Sequence, residues 1–276
     1  MTDRYAVIGN PVAHSQSPRI HAEFARQTGQ DIAYDRLPAP LDAFAATARQ
    51  FFSAGGKGLN VTLPFKHEAW ELVDRHDNSA RDAEAVNTIT LVGGQLIGYN
   101  TDGIGLVADL ERNLGFPITG KRVLLMGAGG ATYGVMHPVL EQRPDLLVVA
   151  NRTLDKAISL IKHFQKFESF ALRGISAQPY ADLAGAQFDL VINATSAGLS
   201  GEMPPLPEHV FAPEALAYDM VYGRDTPFLE FARRHGARTT ADGLGMLVEQ
   251  AAEAFFIWRG VRPQTTPVIA MLRHET

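Results

Sequence analysis

Polar side chains gather in four short stretches of the first third of the chain, each beside an apolar, strand-like segment. In parallel sheets, ligands bind beyond the carboxyl ends of the strands, so we expect these polar groups to converge on one small ligand. The stretches comprise residues 9–18, 60–66, 87–88 and 100–103.

Each stretch also has a purely structural interpretation. Ser17 before Pro18 is typical of a helix N-cap followed by proline at the first helical position. Asp102 before Gly103 can cap the next helix. Lys66 fits such a role less well, because a lysine in the first turn of a helix faces the positive end of the helix dipole. An isolated lysine is nevertheless usually solvated surface, so the single residues leave both interpretations open.

A glycine-rich turn marks a second candidate site. The apolar residues 123–126 run into Gly127-Ala128-Gly129-Gly130-Ala131 and then into a helix. A phosphate can approach the backbone only where side chains are missing, and the start of a helix offers free N–H groups. Thr132 stands where a third glycine or alanine often lies, so the prediction of a dinucleotide site depends on the strand-turn-helix context. The alternative is a tight structural turn.

The end of the next predicted strand indicates which nucleotide is bound. An NAD site places an acidic residue there, whereas here Asn151-Arg152-Thr153 follow, with Lys156 one turn later and no carboxylate before Asp155. Arg152 can pair with a 2′-phosphate, and Thr153 can add a hydroxyl contact. The pattern therefore favours NADP(H). The alternative is an exposed arginine beside a helix cap at Thr153.

Strand-like and helix-like segments alternate along the chain, which predicts a largely parallel, covered α/β sheet and then a second α/β unit. Gly93-Gly94 indicates a hairpin, and apolar residues recur at helical spacing from Leu244 to Arg259. The expected strands are 4–8, 32–37, 58–62, 88–92, 95–99, 122–126, 146–150, 190–192 and 216–218. The expected helices are 18–28, 41–52, one starting near 66, 103–114, 131–140, 244–259 and 263–272.

The length of 276 residues exceeds the size at which a single hydrophobic core usually keeps growing, so two domains are expected. We predict an α/β fold with an N-terminal, mixed or mostly parallel substrate domain over residues 1–101. A Rossmann-type, NADP-binding domain is expected over residues 102–241, and residues 242–276 are expected to pack back on the first domain.

Composition excludes several classes of protein. The net charge of −5 argues against nucleic-acid binding, which needs a basic face. The absence of cysteine excludes disulfides, thiolate catalysis and cysteine-ligated metals, and we expect no metal site. No signal peptide and no apolar stretch of about 20 residues are recognised, so a soluble, cytoplasmic protein is expected. Monomer and homodimer both stay open.

The polar stretches and the later motifs, taken together, resemble the shikimate dehydrogenase family along nearly the whole chain. An ordered series of matches is far more specific than any single glycine turn. In the first third the matching pieces are Asn10-Pro11…His14-Ser15-Gln16-Ser17-Pro18, Asn60-Val61-Thr62…Pro64-Phe65-Lys66, Ala85-Val86-Asn87-Thr88 and Asn100-Thr101-Asp102-Gly103. The later pieces are Gly127 to Ala131, Asn151-Arg152-Thr153, Asn193-Ala194-Thr195-Ser196, Tyr218-Asp219-Met220-Val221-Tyr222 and Asp242-Gly243-Leu244-Gly245-Met246-Leu247…Gln250-Ala251.

The resemblance implies a role for each matched position. Lys66 and Asp102 would be the catalytic pair. The substrate carboxylate would be bound by Ser15, Ser17 and Tyr222, and the ring hydroxyls by Thr62, Asn87, Asp102 and Gln250, with Asn60 close by. The NADP contacts would come from Gly127, Ala128, Gly129, Gly130, Ala131, Asn151, Arg152, Thr153 and Lys156, and the nicotinamide end from Thr195, Met220 and Gly243.

The activity implied by the resemblance is the reversible, NADPH-dependent reduction of 3-dehydroshikimate to shikimate in the chorismate pathway to the aromatic amino acids. The alternatives are a quinate/shikimate dehydrogenase that uses NAD and a non-catalytic, shikimate-binding sensor of the same fold. Arg152 argues against the first, and retention of both Lys66 and Asp102 argues against the second. Two departures from the family are Gln16, where many relatives carry lysine, and Tyr133, where arginine is common.

Overall fold

The computed structural model describes residues 2–166, 174–197 and 201–274. The chain divides into two compact units. The first comprises Met1–Gly105 together with Leu247–Glu275, and the second comprises Leu106–Met246. The chain passes between the units within two helices, Asp102–Ala108 and Leu244–Arg259.

The first unit is built on a six-stranded sheet in the order β2-β1-β3-β5-β6-β4. Strand β1 is parallel to β2 and β3, whereas β5 is antiparallel to both β3 and β6. The sheet is therefore mixed rather than largely parallel. The reason is the Gly93-Gly94 hairpin, whose glycines take φ values of 58° and 83° and reverse the chain. The elements are β1 (Asp3–Gly9), α1 (Ser17–Thr28), β2 (Ile32–Pro38), α2 (Phe44–Ser53), β3 (Gly56–Val61), α3 (Lys66–Leu72), β4 (Arg75–His76), α4 (Asn78–Ala83), β5 (Thr88–Val92) and β6 (Gln95–Tyr99).

The C-terminal helices belong to the first unit from Leu247 onward. The indole N–H of Trp258 donates to the carbonyl of Ile89 on β5 at 3.1 Å, and its ring stacks on Tyr5 with 4.7 Å between centroids. Arg259 forms an ion pair with Asp3. These contacts attach the end of the chain to the first strand and the centre of the sheet.

The second unit has a six-stranded sheet in the order β12-β11-β10-β7-β8-β9, with every pairing parallel. This is the doubly wound order of a dinucleotide-binding domain. The elements that follow β6 along the chain as far as this sheet extends are α5 (Asp102–Ala108), a π-helix (Asp109–Asn113), β7 (Arg122–Met126), α6 (Gly130–Glu141), β8 (Leu146–Ala150), α7 (Leu154–Phe164), β9 (Ile175–Gln178), a 3₁₀ helix (Tyr180–Leu183), β10 (Phe188–Asn193), β11 (Phe211–Asp219), α8 (Pro227–Arg234) and β12 (Thr239–Asp242). The last two helices are α9 (Leu244–Arg259), which starts in the second unit and continues into the first, and α10 (Thr266–Arg273), which belongs to the first unit.

The helix expected over 103–114 is α-helical only to Ala108 and continues as the π-helix. There Asp109 accepts hydrogen bonds from the Tyr218 hydroxyl at 2.7 Å and from the Asn113 amide at 2.9 Å. Its carboxylate also occupies the space in which a side chain on Gly245 would lie. Buried polar contacts of this kind explain a local departure from α-helical geometry that apolar periodicity does not reveal.

No helix within the described residues is long and apolar enough to cross a membrane. Over the same residues, no group of three or more histidine, aspartate or glutamate side chains is arranged to hold a metal ion.

Candidate active site

Lys66 and Asp102 lie together in the first unit. Lys66 is the first residue of α3 and Asp102 the first residue of α5. The lysine Nζ lies 2.5 Å from Oδ2 of the aspartate, with side-chain exposures of 29% and 14%. A partly buried amine held this close to a carboxylate is fixed in position while it still reaches solvent and a ligand. The solvated-surface interpretation of Lys66 and the simple helix cap at Asp102 are both wrong.

A group of buried amide and hydroxyl side chains surrounds this pair. Asn87 donates from Nδ2 to Oδ1 of Asp102 at 2.8 Å, and its Oδ1 accepts the backbone N–H of Thr101 at 2.9 Å. Both oxygens of the aspartate are therefore hydrogen-bonded, one to an amide and one to the lysine. We call the group the Asp102 network; its members are Asn60, Asn87, Thr88, Thr101 and Gln250.

Asn60 extends the Asp102 network along the sheet. It is buried on β3, where its Nδ2 donates to the Thr88 hydroxyl at 3.0 Å and its Oδ1 accepts the Tyr34 hydroxyl at 2.7 Å. Burial raises the pKa of the Tyr34 phenol well above its ordinary value, so this hydroxyl stays protonated and donates. Gln250 joins from α9, with its Oε1 at 3.3 Å from the Thr101 hydroxyl.

Ser15 and Ser17 lie beside each other after β1. The Ser15 hydroxyl donates to that of Ser17 at 3.1 Å, and two nitrogens of Arg36 donate to the Ser15 carbonyl at 3.1 and 2.6 Å. Helix α1 starts at Ser17 itself and has no side-chain cap at Gln16, so the expected N-cap at Ser17 is wrong. The Ser17 hydroxyl instead accepts that of Ser15.

The two remaining substrate-binding candidates are Thr62 and Tyr222. Thr62 extends β3, where its backbone N–H donates to the carbonyl of Ile8 at 3.0 Å. Tyr222 follows β11 in the second unit and has an exposed side chain. The roles of Thr62 and Tyr222 in binding a substrate remain predictions.

The second unit contains a cavity of about 440 Å³ at the carboxyl ends of β7, β8 and β10. Gly127, the first residue of the turn, has φ of +102°, and a side chain there would lie 3.1 Å from Thr195. The predicted cofactor residues on its lining are Gly127, Ala128, Gly129, Asn151, Arg152, Thr153, Lys156 and Thr195.

The positively charged residues on the lining of this cavity are Arg152 and Lys156. Arg152 is 79% exposed and faces Glu202, 66% exposed, at 3.9 Å. Thr153 occupies the N-cap position of α7, as the structural alternative expected, although its side chain makes no capping hydrogen bond. Burial raises the pKa of Tyr180 to about 12, and the positive charge of Arg152 opposes this shift.

Four predicted cofactor residues are not on the cavity lining. Gly130 and Ala131 form the first turn of α6. Met220 packs against the core of the second unit. Gly243 lies against the backbone of Met220, because a side chain on Gly243 would come within 2.3 Å of the Met220 carbonyl oxygen. Gly243 is thus needed for close backbone approach, and its contact with a nucleotide stays a prediction.

Several lining residues carry no prediction from sequence. Tyr180 follows β9 just as Asn151 follows β8, so its place after a parallel strand was the available signal, but β9 itself is not predicted. Ser196 belongs to a matched motif in which only Thr195 received a role. The other unassigned lining residues are Ala194, Ala197, Glu202 and Pro204.

The comparisons with known proteins extend along almost the whole chain. Residues 7–89 match the shikimate dehydrogenase substrate binding domain, residues 110–200 the shikimate / quinate 5-dehydrogenase family, and residues 243–273 the shikimate 5′-dehydrogenase C-terminal domain. The shikimate dehydrogenase (NADP(+)) of Chromobacterium violaceum is 56% identical over 274 residues, 99% of this chain and 98% of its own.

Solved structures agree with these matches. An Ael1 enzyme from Pseudomonas putida superposes with a TM-score of 0.93 at 48% identity, covering 98% of each chain. The shikimate 5-dehydrogenase of Thermus thermophilus, solved in complex with NADP(H) and shikimate, superposes with a TM-score of 0.87 at 33% identity over 100% of both chains.

Proposed function

The chain belongs to the shikimate dehydrogenase family, and from this premise we propose that it catalyses the reversible, NADPH-dependent reduction of 3-dehydroshikimate to shikimate with Lys66 and Asp102 as the catalytic pair. The observation that carries this assignment is the 2.5 Å contact between the lysine Nζ and the aspartate Oδ2. The place of the reaction in chorismate and aromatic amino acid biosynthesis follows from the family.

The cavity of the second unit fits a dinucleotide phosphate. The turn at Gly127–Gly129 leaves backbone open at the start of α6, and Arg152 and Lys156 supply positive charge at the rim. No carboxylate stands at the end of β8, where an NAD site would place one. We therefore assign the NADP contacts to the turn residues, with Asn151, Arg152, Thr153 and Lys156, and the nicotinamide end to Thr195, Met220 and Gly243.

When bound, NADPH supplies the hydride. Negative charge then develops on the C3 oxygen of the substrate, where the cationic amine of Lys66 stabilises it, and the Lys66–Asp102 pair supplies the proton. Asp102 holds that amine in position through its Oδ2 and is itself fixed by Asn87 through its Oδ1.

We assign substrate binding to the polar side chains that match the family. Ser15 and Ser17 hold the carboxylate, since their hydroxyls lie side by side and can each rotate to donate to an anion, and Tyr222 contributes a third donor. Thr62, Asn87, Asp102 and Gln250 bind the ring hydroxyls, and Asn60 orients Asn87 through Thr88. We assign residues 1–101, with residues 242–276 packed back on them, to the substrate domain and residues 102–241 to the cofactor domain. We place the enzyme in the cytoplasm, as a monomer or homodimer.

A matrix of initial rates tests this function directly, with shikimate and quinate each assayed against NADP and NAD. Shikimate with NADP should give the highest kcat/KM, and quinate should be oxidised much more slowly. Comparable values for the two acids, together with equal use of NAD, would move the chain to the quinate/shikimate group. Binding of shikimate without any formation of NADPH would identify a sensor.

A further inference from the structure

Thr101, which has no role in the proposed reaction, lies at the centre of the Asp102 network. It connects β6 to α5 and is 1% exposed. Its hydroxyl oxygen lies 3.0 Å from Nδ2 of Asn87, 3.2 Å from Oδ1 of the same residue and 3.3 Å from Oε1 of Gln250. A hydroxyl has one proton, so the direction of each bond can be worked out from its neighbours.

The orientation of the Asn87 amide follows from a backbone donor. The N–H of Thr101 can only donate, so the atom that it contacts at 2.9 Å is the Asn87 oxygen. That oxygen also accepts the Thr88 hydroxyl at 3.0 Å, because the Thr88 oxygen already accepts Nδ2 of Asn60. Both lone pairs of the Asn87 oxygen are therefore occupied. The Asn87 Nδ2 then donates one hydrogen to Asp102 and the other to the Thr101 hydroxyl.

The orientation of the Gln250 amide follows from a backbone acceptor. Nε2 of Gln250 donates to the carbonyl of Leu247 at 2.8 Å, which places Oε1 toward Thr101. Since the Asn87 oxygen has no free lone pair, the Thr101 hydroxyl donates its proton to Gln250. One amide hydrogen and one oxygen lone pair of Gln250 are then left for a ligand.

We propose that Thr101 is a positioning residue: its hydroxyl accepts from Asn87 and donates to Gln250, and so sets the orientation of two side chains that bind the ring hydroxyls of the substrate. The inference rests on the proposed function, because it assigns the purpose of the hydroxyl to substrate recognition. Thr101 does not touch the reacting atoms and acts only through its two neighbours.

Thr101→Val is the sharpest variant, because it replaces the hydroxyl by a methyl group of similar size and keeps the backbone N–H that orients Asn87. It leaves one hydrogen of the Asn87 amide without an acceptor and Oε1 of Gln250 without a donor. The KM for shikimate should rise about tenfold, as expected when buried polar groups lose a partner, while kcat changes less than about threefold and the KM for NADP is unchanged. Thr101→Ser, which keeps the hydroxyl, is the matched control and should restore the shikimate KM.

A double-mutant cycle with Gln250→Leu separates positioning from general loosening of the fold. If Thr101 acts through Gln250, the fold increase in the shikimate KM of the double variant should be well below the product of the fold increases in the two single variants. A shikimate KM that stays unchanged in Thr101→Val, with only a lower melting temperature, would overturn the proposal. So would full additivity in the cycle.

The side-chain amide signals of Gln250 in ligand-free protein, followed by nuclear magnetic resonance, provide a readout that needs no activity. They should shift and exchange faster with solvent in Thr101→Val but not in Thr101→Ser. If the unmodified enzyme failed to oxidise shikimate, the proposed function would fail on that result, and the amide signals would still decide the role of Thr101. Unchanged Gln250 signals in Thr101→Val would overturn it.

Discussion

The two candidate sites of this chain differ in how their groups are held: one consists of buried, hydrogen-bonded side chains, and the other of glycine-turn backbone with an exposed charge. Around Asp102 the side chains are buried and hydrogen-bonded to one another: Asn87 is 3% exposed, Thr101 1%, and both oxygens of the aspartate are engaged. The proposed cofactor cavity is lined by backbone of a glycine turn, and its arginine is 79% exposed. A hydrogen-bonded interior fixes geometry before a ligand arrives, whereas an exposed cation supplies charge but orders its side chain only on binding.

This contrast predicts different kinds of sensitivity. Changes near Asp102 should alter rates and substrate selection, since they disturb atoms whose positions are fixed by hydrogen bonds. Changes at the rim of the cavity should alter nucleotide affinity and its dependence on salt, because exposed charges are screened.

The largest effect is expected at the catalytic pair. Lys66→Ala should lower kcat by about 10²–10⁴-fold, the range for a positioned acid or base, and should change the KM for shikimate much less, because Ser15, Ser17 and Tyr222 remain. Asp102→Asn should also lower kcat, and the double variant should be little worse than the poorer single one, as for residues that act as a unit.

Binding of NADP to the Lys66→Ala protein, measured by calorimetry, is the control for this pair. It should match that of the unmodified protein, because Lys66 belongs to the first unit and the cavity to the second. Normal turnover by Lys66→Ala would mean that the prebuilt contact with Asp102 has no part in the chemistry.

Arg152 should provide the next largest effect, on the choice of nucleotide. We expect at least about tenfold higher specificity for NADP than for NAD, because a charge-assisted contact with phosphate is worth roughly 1.5–3 kcal/mol. Arg152→Asp should reduce or reverse this preference while leaving kcat for shikimate nearly unchanged at saturation. Equal use of both nucleotides by the unmodified enzyme would contradict the role of Arg152.

The same contrast explains what could be predicted from sequence. The glycine turn and Asn151-Arg152-Thr153 are local features of a strand followed by a helix, so their place on the cavity follows from short-range pattern. Glu202 reaches the same cavity from 50 residues further along, with no local signal. The catalytic role of Lys66 and Asp102 is predicted only through the family resemblance, since neither spacing nor residue type alone separates them from surface residues.

Short edge strands and buried polar contacts account for the structural misses. Strands β9 (Ile175–Gln178) and β12 (Thr239–Asp242) lie at the two edges of the second sheet and are only four residues long, with polar sequences that lack strand alternation. The role of Thr101 depends on a contact with Gln250, 149 residues away. Neither kind of feature leaves a periodic signal.

Burial in the first unit should also make its stability depend on pH. His21 on α1 is fully buried and stacks on Tyr34, with 4.2 Å between ring centroids. Burial lowers the pKa of His21 to about 3. In the unfolded chain its pKa is near the usual ~6.5, so the unfolded state binds a proton that the folded state rejects.

Stability from this histidine is therefore complete above about pH 6.5 and is lost as the pH falls toward 3. Between pH 7.5 and 5.5 the loss is about 1.4 kcal/mol in the free energy of unfolding. When urea unfolding is measured over this range, the change in the free energy of unfolding with pH should be smaller by about 1.4 kcal/mol in His21→Phe than in the unmodified protein. His209→Phe, a change at an exposed histidine, is the control and should leave the dependence as it is.

The smallest effect is expected at Glu202, where the open character of the cavity is tested most directly. Its carboxylate lies 3.9 Å from Arg152 and shares the cavity lining with it. It competes with a 2′-phosphate for the guanidinium and repels it, so Glu202→Gln should strengthen NADP binding. Since exposed ion pairs are worth little, the gain should be no more than about fivefold and should shrink as salt is added.

Titration of the two nucleotides into Glu202→Gln and into Glu208→Gln measures this. Glu208 is exposed and is not among the residues that line the cavity, so its variant should bind both nucleotides as the unmodified protein does. NAD, which lacks the 2′-phosphate, should bind Glu202→Gln unchanged. An equal gain for NAD and NADP would mean that Glu202 acts on some other part of the nucleotide. Weaker NADP binding would mean that Glu202 holds Arg152 in its productive position, in which case the rim of the cavity is as preorganised as the Asp102 network and the contrast between the two sites fails.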